Sequence, residues 1–210
     1  MENTAKSIAD YLLQIKAIKL QPSNPFTWAS GWKSPIYCDN RKTLSFPEVR
    51  EAIKDAFVQK TKELYPGVEL IAGVASGAIA HGALVADTMS LPFIYVRSGA
   101  KEHGLGNKIE GYYEEGQNVV VIEDLISTGG SSLRAVNALR EAGCTVLGML
   151  AIFTYGFKKA EDNFRDNECK LYTLSNYNIL VDQAKMTGYI TESDISTLKK
   201  WRQDPSSWGR

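Results

Sequence analysis

Two adjacent acids, Glu123 and Asp124, stand near the end of an apolar run, and the turn Ser127-Thr128-Gly129-Gly130-Ser131 follows them. A glycine turn that leads from a strand into a helix presents backbone N–H groups to an anion. The turn's hydroxyls add hydrogen-bond donors without adding charge. The two acids would repel a phosphate, but they can accept hydrogen bonds from the adjacent hydroxyls of a sugar. The pattern therefore indicates a ribose 5-phosphate site.

A simpler interpretation is that the acids only end a strand and cap the next helix. Competing nucleotide motifs do not fit, because the turn has neither G-x-G-x-x-G nor the Gly-Lys-Ser/Thr ending of a P-loop. The sequence around the acid pair favours the ribose phosphate interpretation.

The segment from Val121 to Ser131 resembles the signature with which type I phosphoribosyltransferases bind phosphoribosyl pyrophosphate (PRPP). In that family the acid pair binds the ribose hydroxyls. The resemblance implies that one continuous set of residues binds PRPP: Glu123, Asp124, Leu125, Ile126, Ser127, Thr128, Gly129, Gly130 and Ser131.

The connection at residues 98–112 is long, charged and rich in glycine, which is typical of a functional loop and not of a passive connector. We interpret it as a mobile lid. Pyrophosphate gains negative charge as its bond to C1 of the ribose breaks, and Arg97, Lys101 and His103 are placed to meet that charge once the lid closes. A solvated loop whose charges have no role is the alternative.

The stretch from Arg97 to Gly104, Arg-Ser-Gly-Ala-Lys-Glu-His-Gly, resembles the catalytic loop of the orotate phosphoribosyltransferase family. The resemblance implies that Arg97, Lys101 and His103 bind PRPP held in the neighbouring subunit of a homodimer. It also implies that Lys101, His103 and Asp124 are the catalytic residues, in sites shared between the two subunits.

Residues 26–41 resemble the N-terminal hood of the same family, which covers the base and narrows the substrate to orotate. Ser127 matches the family's orotate-contacting turn residue. The chain also departs from the family pattern. Some members have lysines where this chain has Ala29, Gly77 and Ser98, and an arginine where Thr154 and Tyr155 stand.

These resemblances imply transfer of the 5-phosphoribosyl group from PRPP to N1 of orotate, giving orotidine 5′-phosphate and pyrophosphate in UMP synthesis. Mg²⁺ is the expected cofactor, bound mainly by substrate oxygens, so no protein metal site is predicted. A purine phosphoribosyltransferase is the enzymatic alternative. A PRPP-sensing regulator is the non-enzymatic one, although few residues precede the hood to form a DNA-binding module.

The elements that must position these residues alternate between strands and helices. Helical spacing predicts an opening amphipathic helix and another from Pro47 to about Leu64. A terminal helix follows the capping-box pair Thr191 and Asp194. Apolar, β-rich runs predict four strands: Glu69–Ala75, Pro92–Arg97, Asn118–Asp124 and Thr145–Phe153.

This alternation predicts an α/β fold with a doubly wound, mainly parallel sheet flanked by helices. The resemblance adds that it is the type I phosphoribosyltransferase fold, with an N-terminal hood segment and a mobile catalytic loop. We expect one domain over residues 1–210. Its parts are the N-terminal helix and hood (1–45), the mobile loop (98–112) and the PRPP-binding motif (119–132).

Within that fold, the segment from Ile71 to Ile79 runs from a strand through small residues into a helix, so pyrophosphate can approach its N–H groups closely. Simple helix–strand packing is the alternative for this segment.

Composition narrows the partners. Twenty-four basic residues balance 24 acidic ones, so no bulk positive charge is present to hold nucleic acid or an anionic membrane. The three cysteines, Cys38, Cys144 and Cys169, are far apart and form no C-x-x-C pair, which argues against a disulfide framework and a zinc site. We expect a cytoplasmic protein.

Overall fold

The computed structural model describes residues 2–28, 31–97 and 108–208 of the chain. The elements follow one another in this order: α1 Glu2–Gln14, β1 Ile18–Leu20, β2 Phe26–Thr27, β3 Lys33–Ser34, β4 Ile36–Cys38, a 3-10 helix Asn40–Ser45, α2 Pro47–Leu64, β5 Leu70–Val74, α3 Ile79–Met89, β6 Phe93–Val96, β7 Ile109–Glu110, β8 Asn118–Ile126, α4 Gly130–Glu141, β9 Thr145–Thr154, α5 Lys158–Asp166, β10 Leu171–Asn176, α6 Tyr177–Met186 and α7 Glu192–Gln203.

The main sheet has the strand order β10-β9-β8-β5-β6-β7. Its strands pair in parallel, apart from the short edge strand β7, which runs antiparallel to β6. From β5 the chain first adds β6 on one side and then crosses to add β8 on the other. The carboxyl ends of β5 and β8 therefore flank a topological switch point, where open α/β sheets bind ligands.

Alternating side chains of β8 cover the two faces of the sheet. Val119 and Val121 pack with residues of α4 and α5, whereas Val120 and Ile122 pack with residues of α1, α2, α3 and α6. All four valine and isoleucine side chains are fully buried, as expected for a central parallel strand covered by helices on both sides. The predicted doubly wound, mainly parallel sheet is confirmed.

The four predicted strands correspond to β5, β6, β8 and β9, with ends that differ by at most two residues. The largest shift is in β8, which continues past the acid pair to Ile126. The sheet also contains β7 and β10, which were not predicted. The capping box at Thr191 and Asp194 is present at the start of α7.

The N-terminal segment forms two small antiparallel pairs, β1 with β4 and β2 with β3. Trp28 connects this segment to the rest of the fold through a ring contact. Its indole N–H donates to the carbonyl of Ile36 at 3.1 Å, and its ring packs edge-on against Trp201 of α7 with centroids 5.7 Å apart. Among the described helices, none is long and apolar enough to cross a membrane.

Candidate functional site

A cleft of about 440 Å³ opens at the switch point between β5 and β8. Three segments form most of its wall: residues 74–77 at the end of β5 and in the loop that follows it, residues 123–132 at the end of β8 and the start of α4, and residues 38–41 of the N-terminal segment. Basic side chains around it are Arg41, Arg97, Lys108 and Arg134. The cleft lies where the order of the strands places a ligand site.

The two acids point to opposite faces of β8, because side chains alternate along a strand. Glu123 follows Val121 on the face covered by α4. Its carboxylate accepts hydrogen bonds from the Ser132 hydroxyl at 2.7 Å and from the Asp124 N–H at 2.9 Å. Glu123 is 5% exposed. It therefore ties the end of β8 to the first turn of α4.

Burial, followed by the nearby charge of Asp124, raises the pKa of Glu123. The carboxyl group thus binds a proton more readily than an exposed glutamate would. A cation that enters the cleft attracts the negative charge of the carboxylate, so it favours the deprotonated form of Glu123.

Asp124 lies on the other face, against the loop that follows β5. A Cβ atom added to Gly77 would come within 2.4 Å of a carboxylate oxygen of Asp124. The absence of a side chain at position 77 is therefore what allows the acid to sit against this loop. The peptide bond between Ala75 and Ser76, in the same loop, is cis. Asp124 and residues 75–77 together form the centre of the cleft.

Helix α5 packs against the turn that follows β8 and supports it. Gly129, with a φ of +80°, caps α4, and a Cβ atom there would also come within 2.6 Å of the Phe164 ring. The side-chain amide of Asn163 donates to the carbonyl of Thr128 at 2.8 Å. No described side chain caps the N–H groups of the first turn of α4. These N–H groups and the adjacent hydroxyls form an anion-binding cradle.

Most of the sequence-predicted PRPP residues come together here. The cleft wall includes Arg97, Glu123, Asp124, Leu125, Ser127, Thr128, Gly129 and Ser131. Ile126 is fully buried beneath α4, so its side chain serves the core. Gly130 opens α4 beside Ser131. Lys101 and His103, with most of the predicted lid, lie outside the described residues.

Several cleft residues were not assigned an individual role from the sequence. Arg134 lies one helical turn after Gly130, and a Cβ atom on that glycine would be 3.8 Å from its guanidinium. The i, i+4 spacing after the glycine turn was a usable signal for it. Lys108 accepts the N–H of Arg97 through its backbone carbonyl at 2.8 Å. Arg41 and Cys38 enter the wall from the N-terminal segment.

Tyr155, one of the two residues that stand where the resemblance implied an arginine, is 3% exposed. Its ring stacks on Phe157 and lies edge-on to Trp201 and Phe153. This aromatic cluster occupies the space beyond the end of β9. Thr154 has a structural role as well, because its hydroxyl accepts a hydrogen bond from the Gly156 N–H at 3.0 Å. Neither residue provides a positive charge to the cleft.

Comparison with known proteins gives consistent results. The family model for the phosphoribosyl transferase domain matches residues 42–183. Orotate phosphoribosyltransferase of Bacteroides fragilis is 59% identical over 208 residues, covering 99% of this chain and 98% of that protein. The enzyme of that name from Porphyromonas gingivalis is 56% identical over 209 residues and covers both chains completely.

Among solved structures, orotate phosphoribosyltransferase of Aeropyrum pernix matches with a TM-score of 0.76 and 25% identity, covering 88% of this chain and 99% of that one. A shared fold alone does not fix a substrate, but identity above one half over the full length goes well beyond a shared fold. The chain belongs to the orotate phosphoribosyltransferase family, within the wider group that shares the phosphoribosyl transferase domain.

Proposed function

We propose that this chain transfers the 5-phosphoribosyl group from PRPP to N1 of orotate, giving orotidine 5′-phosphate and pyrophosphate in pyrimidine biosynthesis. The observation that carries the proposal is the position of Asp124. Its carboxylate lies between the anion-binding turn at residues 127–131 and the loop at residues 75–77. A ribose bound at Asp124 has an anion site on each side, which is the arrangement that PRPP requires.

The 5′-phosphate of PRPP binds to the N–H groups and hydroxyls of the turn, with Arg134 adding a positive charge. The ribose hydroxyls donate to the acid pair, Glu123 and Asp124, both of which line the cleft. The pyrophosphate lies toward the loop after β5 and toward Arg97, whose guanidinium also forms a 3.3 Å ion pair with Glu110. Lys101 and His103 complete the pyrophosphate site from the neighbouring subunit of a homodimer. Ser127 contacts both orotate and the phosphoribosyl group.

The reaction breaks the bond between C1 of the ribose and the pyrophosphate oxygen, and N1 of orotate attacks from the opposite face of the ring. Positive charge develops on the ribose while negative charge grows on the leaving group. The protein contributes orientation of the two substrates and a fixed charge distribution, without a covalent nucleophile. The part of the predicted lid that precedes β7 closes over the bound PRPP and excludes water.

The cleft suits Mg²⁺, since it offers the hard oxygen donors of Asp124 and of the hydroxyl residues around it. Within the described ranges, no group of three or more His, Cys, Asp or Glu side chains could hold a metal ion by themselves. The remaining ligands would come from PRPP and water. When bound, Mg²⁺ supplies charge neutralisation for the pyrophosphate oxygens. The protein works in the cytoplasm.

A panel of bases tests this function. In the presence of Mg²⁺, we expect PRPP and orotate to be consumed together and to give orotidine 5′-phosphate and pyrophosphate, and we expect no nucleotide from adenine, hypoxanthine or xanthine. A preference for a purine would contradict the proposed substrate. Binding of PRPP without transfer to any base would instead support the PRPP-sensing alternative. Asp124→Asn, which changes one oxygen to an amide, is the matched control for activity arising from this cleft.

A further inference from the structure

Orotate carries a carboxylate on its ring, and this anion needs a partner inside a cleft that already contains Glu123 and Asp124. Gly77, Thr154 and Tyr155 supply no positive charge to this anion. The partner must therefore be found among the cations that do reach the cleft. Those of the described residues are Arg41, Arg97, Lys108 and Arg134.

Three of these four cations lie beside the phosphate groups of the proposed PRPP position. Arg134 lies next to Gly130, at the turn that binds the 5′-phosphate. Arg97 and Lys108 are joined by a backbone hydrogen bond where β6 meets β7, on the side of the pyrophosphate. None of these three belongs to the N-terminal segment.

Arg41 is the described cation that the N-terminal segment contributes to the cleft wall. It lies in the 3-10 helix that follows β4, and Cys38 and Asp39 accompany it in the cleft wall. Asn40 fixes this helix to the reacting end of β8 by donating to the Asp124 carbonyl at 2.6 Å. Arg41 is therefore carried by a segment of defined position next to the ribose site.

The guanidinium of Arg41 is held by one edge only. Its Nε donates to Asp39 at 2.7 Å, and no described residue accepts a hydrogen bond from either of its Nη atoms. The side chain is 61% exposed. A guanidinium oriented in this way presents its two Nη groups side by side, which is the geometry that binds a carboxylate with two hydrogen bonds.

We propose that Arg41 binds the carboxylate of orotate and thereby determines the preference for orotate over uracil. The inference rests on the proposed function, because it takes orotate as the base. Asp39 is a positioning residue in this arrangement, since it fixes the guanidinium and does not contact the base. The charge of Arg41 also offsets the repulsion between the carboxylate of orotate and Asp124.

The test compares two nucleotides that differ only in this carboxylate. Orotidine 5′-phosphate has it, and uridine 5′-phosphate lacks it. Binding of each to wild type, Arg41→Ala and Arg41→Lys is measured by calorimetry. We expect Arg41→Ala to bind orotidine 5′-phosphate roughly 10- to 100-fold more weakly, the size of a lost charged hydrogen-bonded contact, and to bind uridine 5′-phosphate as wild type does. Arg41→Lys should fall between the two, because it keeps the charge but not the paired donors.

Arg134→Ala is the matched control, since it removes an arginine from the phosphate side and should weaken both nucleotides by the same factor. Equal weakening of both nucleotides by Arg41→Ala, or no weakening of either, would overturn the assignment of Arg41. Unchanged uridine 5′-phosphate binding also shows that the variant is folded. Failure of wild type to convert orotate would instead overturn the proposed function, so the two failures are distinguishable.

Discussion

The side-chain amide of Asn40 donates a 2.6 Å hydrogen bond to the backbone carbonyl of Asp124, across 84 positions of sequence. Asn40 is fully buried and lies at the start of the 3-10 helix that carries Arg41. Its own carbonyl accepts the hydroxyl of Thr43, and that hydroxyl lies 3.0 Å from Nε2 of His81. This chain of contacts joins the N-terminal segment, β8 and α3 at the reacting end of the cleft.

Asn40→Ala should impair catalysis more than stability. Removing the amide leaves a buried carbonyl without its partner, at a cost of about 1–3 kcal/mol, and frees the backbone that carries Asp124. We expect kcat/KM for PRPP to fall about tenfold or more. Asn167→Ala is the control, because Asn167 also donates to a backbone carbonyl, that of Asn163 at 2.8 Å, but lies outside the cleft. Equal kinetics in the two variants would contradict a positioning role for Asn40.

Gly77→Ala should displace the carboxylate of Asp124. The added Cβ would lie within 2.4–2.6 Å of three atoms of that side chain, so the acid must move away. We expect KM for PRPP to rise about tenfold, by analogy with a lost hydrogen bond to a charged group. Gly67→Ala serves as the control, since a Cβ there meets nothing within 4 Å. A KM like that of wild type would show that Asp124 tolerates the shift.

His81 should make the free energy of unfolding depend on pH. Burial, with a smaller contribution from the charge of Arg50, lowers the pKa of His81 from 6.5 to about 4. A histidine whose folded pKa is depressed stabilises the fold above the unfolded pKa, and this stability is lost as pH falls through the folded pKa. Urea unfolding should therefore show a loss on the order of 3 kcal/mol between pH 7 and pH 4 that is absent in His81→Gln. Parallel pH profiles for the two proteins would contradict this.

Mixed dimers test whether two subunits build each site. Lys101→Ala and Asp124→Asn homodimers should each be nearly inactive. For Lys101→Ala we expect the rate to fall by a factor on the order of 10² to 10³. If Lys101 acts on PRPP bound by the partner, each mixed dimer has one intact site and one doubly altered site. Random reassociation of equal amounts should then restore about a quarter of wild-type activity. Confirmed subunit exchange without any recovery would rule out a cross-subunit role for Lys101.

The core strands and the PRPP turn could be predicted from the sequence because their signals are local. The buried valines of β8 and the glycine turn stand next to each other in the chain. The helix α5 lacked such a signal, since Ala160 and Phe164 are its buried residues and most of the others are charged or polar. Likewise, β7 has only two residues, too few for a periodic pattern, and it is a strand because it pairs with β6.

The finer arrangement of the site depends on contacts between distant segments, which a single sequence does not reveal. Strand alternation predicts that Glu123 and Asp124 face opposite sides, but not that Ser132 binds Glu123. The contact between Gly77 and Asp124 and the hydrogen bond from Asn40 both cross between separate elements. Arg41 was therefore visible in the sequence as part of the hood, whereas its place in the cleft wall required the fold.

A crystal structure with orotidine 5′-phosphate bound tests the assignment of this cleft most directly. We expect the 5′-phosphate on the N–H groups of residues 127–131, the ribose hydroxyls within hydrogen-bond distance of Asp124, and Ser127 in contact with the nucleotide. The orotate carboxylate should lie within hydrogen-bond distance of both Nη atoms of Arg41. A nucleotide bound elsewhere, or bound here with its phosphate toward residues 75–77 and its base toward Arg134, would contradict the account.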